Sequence, residues 1–468
     1  MNNVHYAPIP EIVRQIHGKQ ISPVELTEWQ LARIAAWQPK LNAFVHVDME
    51  GAKRRAREAE AAILRGEPAG RLCGVPVSIK SCIDVAGWPS PAGSLLRANE
   101  IPLRHAPMAQ RLLDAGAIPM GNTNTPEFLM AYETDNRVSG KTSNPWNLAH
   151  SSGGSSGGEA AAIAAGLSAG GIGSDGGGSI RVPAHFCGIC GLKPTPGRIP
   201  ATGHFPPGTS AFGWLGVVGP MARTVADLRL LFEVMKGPDS GDALSVPAGN
   251  AAAEKFPPRK MRIGILEDPA LGRVTPETRE AVERAAKLLE DHGLIVEPFR
   301  LENLQRMLEL WWFFFGTVIG ELLRAQVRGK ESWLSPQLRE YLEAARSDSP
   351  LGMQEFVANC AARDRERAQV LRAMENVPVL LSAVCSGPAF RHGAGNWQPG
   401  TGYRETMRHA QWLNLTGMPG ISVLMGRSSG GLPVGVQLTA RPFEEELLLA
   451  VAERLEQARG PWEAPPLD

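Results

Sequence analysis

The chain has 468 residues, 43% hydrophobic and 21% charged, the balance of a globular protein long enough to bury a sizeable core. Lysine plus arginine and aspartate plus glutamate both number 48, so the net charge is zero, and no overall field favours nucleic acid or an anionic membrane. Six cysteines in so long a chain argue against a disulfide scaffold.

The first residues, MNNVHYAPIPEIV, carry no basic or apolar leader, which predicts no signal peptide and a cytoplasmic protein. Residues 24–37 repeat apolar side chains at helical spacing. Residues 74–80, GVPVSIK, predict a short β-branched strand ending on a lysine. A glycine- and serine-rich stretch fills 150–181. Cys187 and Cys190 form a lone C-x-x-C without zinc-site partners, and are expected to be two small buried side chains. Thr224 is placed to cap a helix over 225–236, with Asp227 in its first turn and Gly237 beyond its end. Residues 237–258 are the best linker candidate, a long loop being the alternative. Residues 261–266 predict a strand, and Thr275-Pro276 opens a helix running to near Gly293. Residues 300–375 look mainly helical and are expected to cap the sheet. Within them LWWFFFGTVIG, 310–320, is well short of the ~20 residues a membrane span needs. It fits a buried helix, the alternatives being an acyl channel or a face for a second protomer. VPVLLSAV, GISVLM and LPVGVQLTA predict late strands, and 444–459 a closing helix. This alternation predicts an α/β protein with helices over a mostly buried sheet.

Three motifs can be cut from the glycine-rich stretch. Gly171-x-Gly173-x-x-Gly176 matches a dinucleotide fingerprint, but a helical segment precedes it and no acid follows at the required distance. Gly154-x-Ser156-x-Gly158 matches a nucleophile elbow, but the preceding segment is polar and turn-forming. Ser156-x-x-Glu159 instead reads as a capping box at a helix start. Read whole, the stretch sets two serine-bearing turns around one short helix, with glycines just ahead of Ser179. Backbone N–H groups without side chains in the way can converge on an oxyanion, so a serine there fits acyl transfer.

The stretch 153–184 resembles the signature of the amidase signature family. GGSSGG, SDGGGS and SIRVPA fall at the family's spacing, and GVPVSIK resembles the segment bearing its catalytic lysine. GNTNTPEF, ETDN, NPWN, FCGICGLKPTPGR and GLPVGVQL resemble further family segments, so the likeness covers nearly the whole chain. It implies one large α/β/α domain over 1–468, with a central mixed β-sheet covered by helices. It also implies Ser179 as nucleophile, Ser155 after a cis peptide bond as relay, and Lys80 as base. The backbone of Gly176, Gly177, Gly178 and Ser179 would form the oxyanion hole. The family carries a larger side chain where Gly176 stands. Asp175 and Arg181 would orient the turn, a surface salt bridge being the alternative, and Leu129 and Met130 would border the substrate pocket. His185 and His204 lie nearby, but no motif ties either to Ser179.

A lysine base must be largely uncharged. Moving its pKa from ~10.4 to ~7 takes roughly 4 kcal/mol of bias, which burial at a strand end can supply. The implied activity is hydrolysis of a small-molecule amide through an acyl-serine, with no metal or organic cofactor. No nucleic-acid partner is expected, and a homodimer stays open. One rival is the glutamine-hydrolysing component of a tRNA-dependent amidotransferase. That component carries an MDEF-like segment where Thr125-Pro126-Glu127-Phe128 stands here, which favours a free-standing amidase. A non-catalytic binding protein on the same fold and a membrane lipid-amide hydrolase are the remaining alternatives.

Overall fold

The computed structural model describes residues 4–67, 70–208, 212–247, 260–347, 350–400 and 402–467. Its early strands are β1 (Phe44–Val47), β2 (Pro76–Lys80), β3 (Ile118–Thr123), β4 (Ser143–Asn144), β5 (Asn147–Ser151) and β6 (Gly170–Asp175). They continue with β7 (Cys190–Lys193), β8 (Val217–Ala222), β9 (Arg262–Leu266), β10 (Ile295–Phe299), β11 (Val379–Ala383), β12 (Gly420–Arg427) and β13 (Pro433–Ala440). Eleven of these form one mixed sheet in the order β1-β3-β2-β6-β8-β7-β12-β13-β11-β9-β10, and β4 pairs with β5 apart from it.

The central strands are buried along their whole length, as strands covered on both faces must be. Side chains alternate between the two cores. In β11, Val379 and Leu381 enter one cluster while Leu380 enters the other. Helices Val225–Met235, Pro276–Asp291 and Glu445–Arg459 cover the first face. Thr224 caps the first of these, its Oγ1 accepting from the Asp227 N–H at 3.1 Å. Thr275 caps the second.

Over the other face lie Leu304–Trp312, a π-helical turn Phe313–Val318, Ile319–Val327 and Met353–Ala373. The aromatic run is core: Trp311, Phe313, Phe314 and Phe315 are all buried. Among the described residues, no helix is long and apolar enough to cross a membrane.

One open alternative is chosen and one expectation changes. The linker candidate 237–258 is in part a bound loop: Asp242 accepts from the Ala201 N–H at 2.8 Å, and Asp239 from Thr202 Oγ1 at 2.6 Å. Its residues 248–258 lie outside the described residues. The capping box at Ser156 does not form, because both side chains have tertiary partners. Ser156 Oγ bonds the backbone of Ser174, and Glu159 accepts from Ser78 Oγ at 2.5 Å and Thr123 Oγ1 at 2.7 Å. A complete capping box exists elsewhere, between Ser22 and Glu25 at the start of helix Pro23–Leu41.

Candidate active site

Strand β2 runs parallel to both β3 and β6, and its last residue is Lys80. The lysine is fully buried at the end of this apolar strand. Its Nζ donates to Ser155 Oγ at 2.7 Å and to Ser174 Oγ at 3.1 Å. Burial disfavours the ammonium and pushes the pKa from 10.5 down to about 8, against a smaller opposing pull from Cys82, Asp175 and Glu159. An uncharged amine facing a serine hydroxyl can accept its proton.

Ser155 follows a cis Gly154–Ser155 peptide. Its carbonyl accepts from Thr125 Oγ1 at 2.7 Å. Gly154 has no room for a side chain, since a Cβ would lie 2.5 Å from the Ala131 carbonyl oxygen. One residue on, the Ser156 N–H donates to the Ser179 carbonyl at 3.1 Å, tying the two serine-bearing turns together. Every residue from 151 to 195 is buried except Ser179, which is partly exposed. Ser179 is thus the one residue of this stretch that solvent partly reaches.

Asp175, at the end of β6, holds the turn from inside. Its Oδ1 accepts from the Gly178 N–H at 2.6 Å and Arg181 Nη2 at 2.9 Å, and its Oδ2 from the Ile180 N–H at 3.0 Å. Arg181 also donates to Gln437 Oε1 at 2.6 Å, Asn414 Oδ1 at 2.7 Å and the Ala410 carbonyl at 3.0 Å. Both charges are fully buried, so this is not a surface salt bridge. Burial alone would raise the Asp175 carboxyl, but Arg181's charge and hydrogen bonds, with Lys193 behind them, hold it well below the usual carboxylate range.

The Gly178 N–H, expected in the oxyanion hole, is therefore given to Asp175 instead. Of the expected oxyanion donors, the N–H groups of Gly176, Gly177 and Ser179 remain candidates. Met130 reaches the aromatic cluster beside this turn, its carbonyl accepting from Trp397 Nε1 at 3.0 Å. Leu129 packs into the other core.

The two nearby histidines have structural bonds. His185 bridges the Gly387 carbonyl at 3.0 Å and the Gly435 N–H at 2.8 Å, and burial pushes its pKa down to about 4. His204 Nδ1 donates to the Pro206 carbonyl at 2.9 Å, leaving Nε2 to face Cys82 Sγ at 3.5 Å. Cys187 and Cys190 are buried thiols, near the carbonyls of Ser152 and Arg223. Sequence reasoning missed Ser174, the second acceptor for Lys80, although it adjoins the acid that was singled out. It also missed Thr125, Tyr132 and Trp311. Tyr132 Oη donates to the Gly177 carbonyl at 2.6 Å and Trp311 Nε1 to the Gly176 carbonyl at 3.1 Å.

Comparison with known proteins places this site in context. The Amidase family model matches residues 25–449. The chain is 34% identical, over 97% of each chain, to the A component of the glutamyl-tRNA(Gln) amidotransferase of Carboxydothermus hydrogenoformans. Among solved structures it is similar to 6-aminohexanoate cyclic dimer hydrolase, with a TM-score of 0.88 and 28% identity over 100% of both chains. It is also similar to a bacterial aryl acylamidase of the amidase signature family, with a TM-score of 0.86 and 27% identity, covering 98% of this chain and 97% of that one.

Proposed function

We propose, from the premise that the chain belongs to the amidase family, that it hydrolyses a carboxylic amide through an acyl-Ser179 intermediate. The observation carrying this reading is the buried Lys80 amine 2.7 Å from Ser155 Oγ. Ser179 Oγ attacks the amide carbon and passes its proton to Ser155, whose own proton goes to Lys80. The N–H groups of Gly176, Gly177 and Ser179 bind the tetrahedral oxyanion. The C–N bond breaks as the proton returns from Lys80 through Ser155 to the leaving nitrogen. Water then attacks the acyl ester by the same relay, releasing the carboxylate and restoring Ser179. Every proton has a carrier in the chain, so the cycle calls for no metal or organic cofactor.

Only the neutral amine can start this cycle. With Lys80 at about 8, kcat/KM is expected to rise roughly tenfold per pH unit from about pH 6 and to level off above about pH 8. A stopped assay across that range checks it. A flat profile contradicts a lysine base.

The substrate divides two readings of the same chemistry. The names of the curated relatives favour glutamine as the amide, with ammonia passed to a partner that holds charged tRNA. The comparisons support this better than a free-standing amidase. A specific observation favours the free-standing enzyme. The wall beside the oxyanion turn is aromatic, built from Tyr132, Trp311, Phe315 and Trp397, which suits an apolar acyl group. The acid of the Thr125–Phe128 segment, Glu127, is committed to Ser94 Oγ at 2.7 Å and the Ser335 N–H at 2.6 Å, so it is not free to anchor a substrate ammonium. Ammonia release from glutamine, set beside turnover of aryl and aliphatic amides, separates the two. Glutamine turnover with a co-purifying partner supports the amidotransferase reading, and apolar amide turnover by the chain alone supports the other.

A further inference from the structure

We propose that Trp311 and Tyr132 are positioning residues that lock the oxyanion turn by hydrogen-bonding the outward carbonyls of two consecutive glycine peptides. The inference rests on the amide-hydrolysis reading above and adds what holds its oxyanion donors in place.

A trans peptide is planar, with its C=O and N–H pointing in opposite directions. Fixing the carbonyl therefore fixes the N–H. Trp311 Nε1 donates to the Gly176 carbonyl at 3.1 Å, which turns the Gly177 N–H of the same peptide to the opposite side. Tyr132 Oη donates to the Gly177 carbonyl at 2.6 Å, and the Gly178 N–H of that next peptide is held by Asp175 at 2.6 Å. One plane is pinned at both ends. The other is pinned only at its oxygen, leaving its N–H available to an oxyanion.

The turn needs such external restraint. Residues 176–178 are three consecutive glycines, the most mobile backbone available, and Gly178 adopts φ +120°. Position 176, where the family that the sequence resembles carries a larger side chain, is itself one of these glycines. The clamps come instead from chain segments 45 and 135 residues away.

Both clamps are themselves rigid. Trp311 stacks on Phe315 with ring centres 4.6 Å apart and planes 14° from parallel. Tyr132 packs against Tyr403 at 5.2 Å and Trp397 at 6.1 Å. Bare glycine at 177 is what lets both approach: a Cβ there would lie 2.5 Å from Trp311 Cζ2 and 2.9 Å from Tyr132 Oη. Burial raises the Tyr132 phenol, which keeps its proton and remains a donor. The aromatic run thus does more than fill the core, since it delivers an indole N–H to the catalytic turn.

The test needs no knowledge of the substrate. A fluorophosphonate reacts with Ser179 by the same geometry: Oγ bonds phosphorus, fluoride leaves, the serine proton goes to the relay, and the phosphoryl oxygen sits in the hole. Tyr132→Phe removes one oxygen and no ring, and Trp311→Phe removes the N–H. Each is expected to lower the limiting rate of labelling about 10- to 100-fold, below the roughly 10²–10³-fold loss from deleting a donor outright. The probe concentration at half-maximal rate, the final labelled fraction and the inflection near pH 8 should stay unchanged. A merely structural role would reduce the labelled fraction and not the rate.

Two folded variants that label at the wild-type rate overturn the proposal, as does a loss confined to the labelled fraction. If Trp311→Phe does not fold, a wild-type rate in Tyr132→Phe overturns it alone. A wild type that takes no label at Ser179 overturns the underlying amide-hydrolysis reading, and the clamps with it. A labelled wild type with indifferent variants overturns the clamps only.

Discussion

Lys80→Met is expected to lower kcat by about 10⁴-fold or more while the protein remains folded. Removing a general base alone typically costs about 10²–10⁴-fold, and members of a catalytic unit cost more because none works without the others. Methionine keeps most of the lysine's length and adds no charge. The fold should tolerate it, for a reason that comes from the site itself. The native pKa of about 8 lies below the unfolded value of 10.5, so the unfolded chain binds the extra proton more tightly. This opposes folding by about 3 kcal/mol below pH 8, and the cost fades as pH rises towards 10.5. Methionine removes that cost at neutral pH and loses two hydrogen bonds, those to Ser155 and Ser174, worth roughly 1 kcal/mol each. Thermal melting at pH 7 should therefore show a variant as stable as the wild type or slightly more so. An unstable and inactive Lys80→Met would point to a structural lysine.

Asp175→Ala should do the opposite and damage both fold and function. The carboxylate binds Arg181 through both oxygens, accepts from two turn N–H groups and from Asn414 Nδ2 at 3.0 Å, all without solvent. Deleting it leaves the Arg181 charge buried and unpaired, which costs about 3–5 kcal/mol. It also frees the Gly178 N–H and unpins the peptide that Tyr132 holds from the other side. Denaturant unfolding should show the midpoint falling, and any folded fraction should be inactive. The native carboxyl lies below its unfolded value, so its stabilisation is fully present above the ordinary carboxylate range. It is lost only in strong acid, as pH falls through the depressed pKa. An Asp175→Ala protein of wild-type stability contradicts the role given to the pair.

Much of this was readable from the chain, and the failures have a common cause. Capped helices such as Val225–Met235 obey local rules, because Thr224 meets its partner three residues on. Strands β2, β9, β11, β12 and β13 announced themselves as short apolar, β-branched runs, with Lys80 visible at the end of one, whereas β6 (Gly170–Asp175) was hidden in the glycine-rich stretch. Ser156 obeyed the same local pattern as Thr224 but found the Ser174 backbone across a strand instead. Glu159 was drawn to hydroxyls 81 and 36 residues away. The Gly178 N–H looked like an oxyanion donor because glycine runs suit that role. Only the folded turn reveals that Asp175, three residues back, takes it. Trp311 and Tyr132 carry no catalytic motif, and nothing in a linear reading aims an indole at a carbonyl 135 residues earlier. Local grammar identifies elements and candidate nucleophiles, whereas the groups that orient them are fixed by tertiary approach.

The central claim is that a buried Lys80, whose neutral fraction grows as pH rises to about 8, activates Ser179 through Ser155. The most direct measurement is the pH dependence of fluorophosphonate labelling, read by mass spectrometry of peptides from wild type and Lys80→Met. The account predicts label on Ser179 alone, a rate that inflects near pH 8 in the wild type, and almost no labelling of the variant at any pH. Label on another residue, or equal rates in the two proteins, contradicts it.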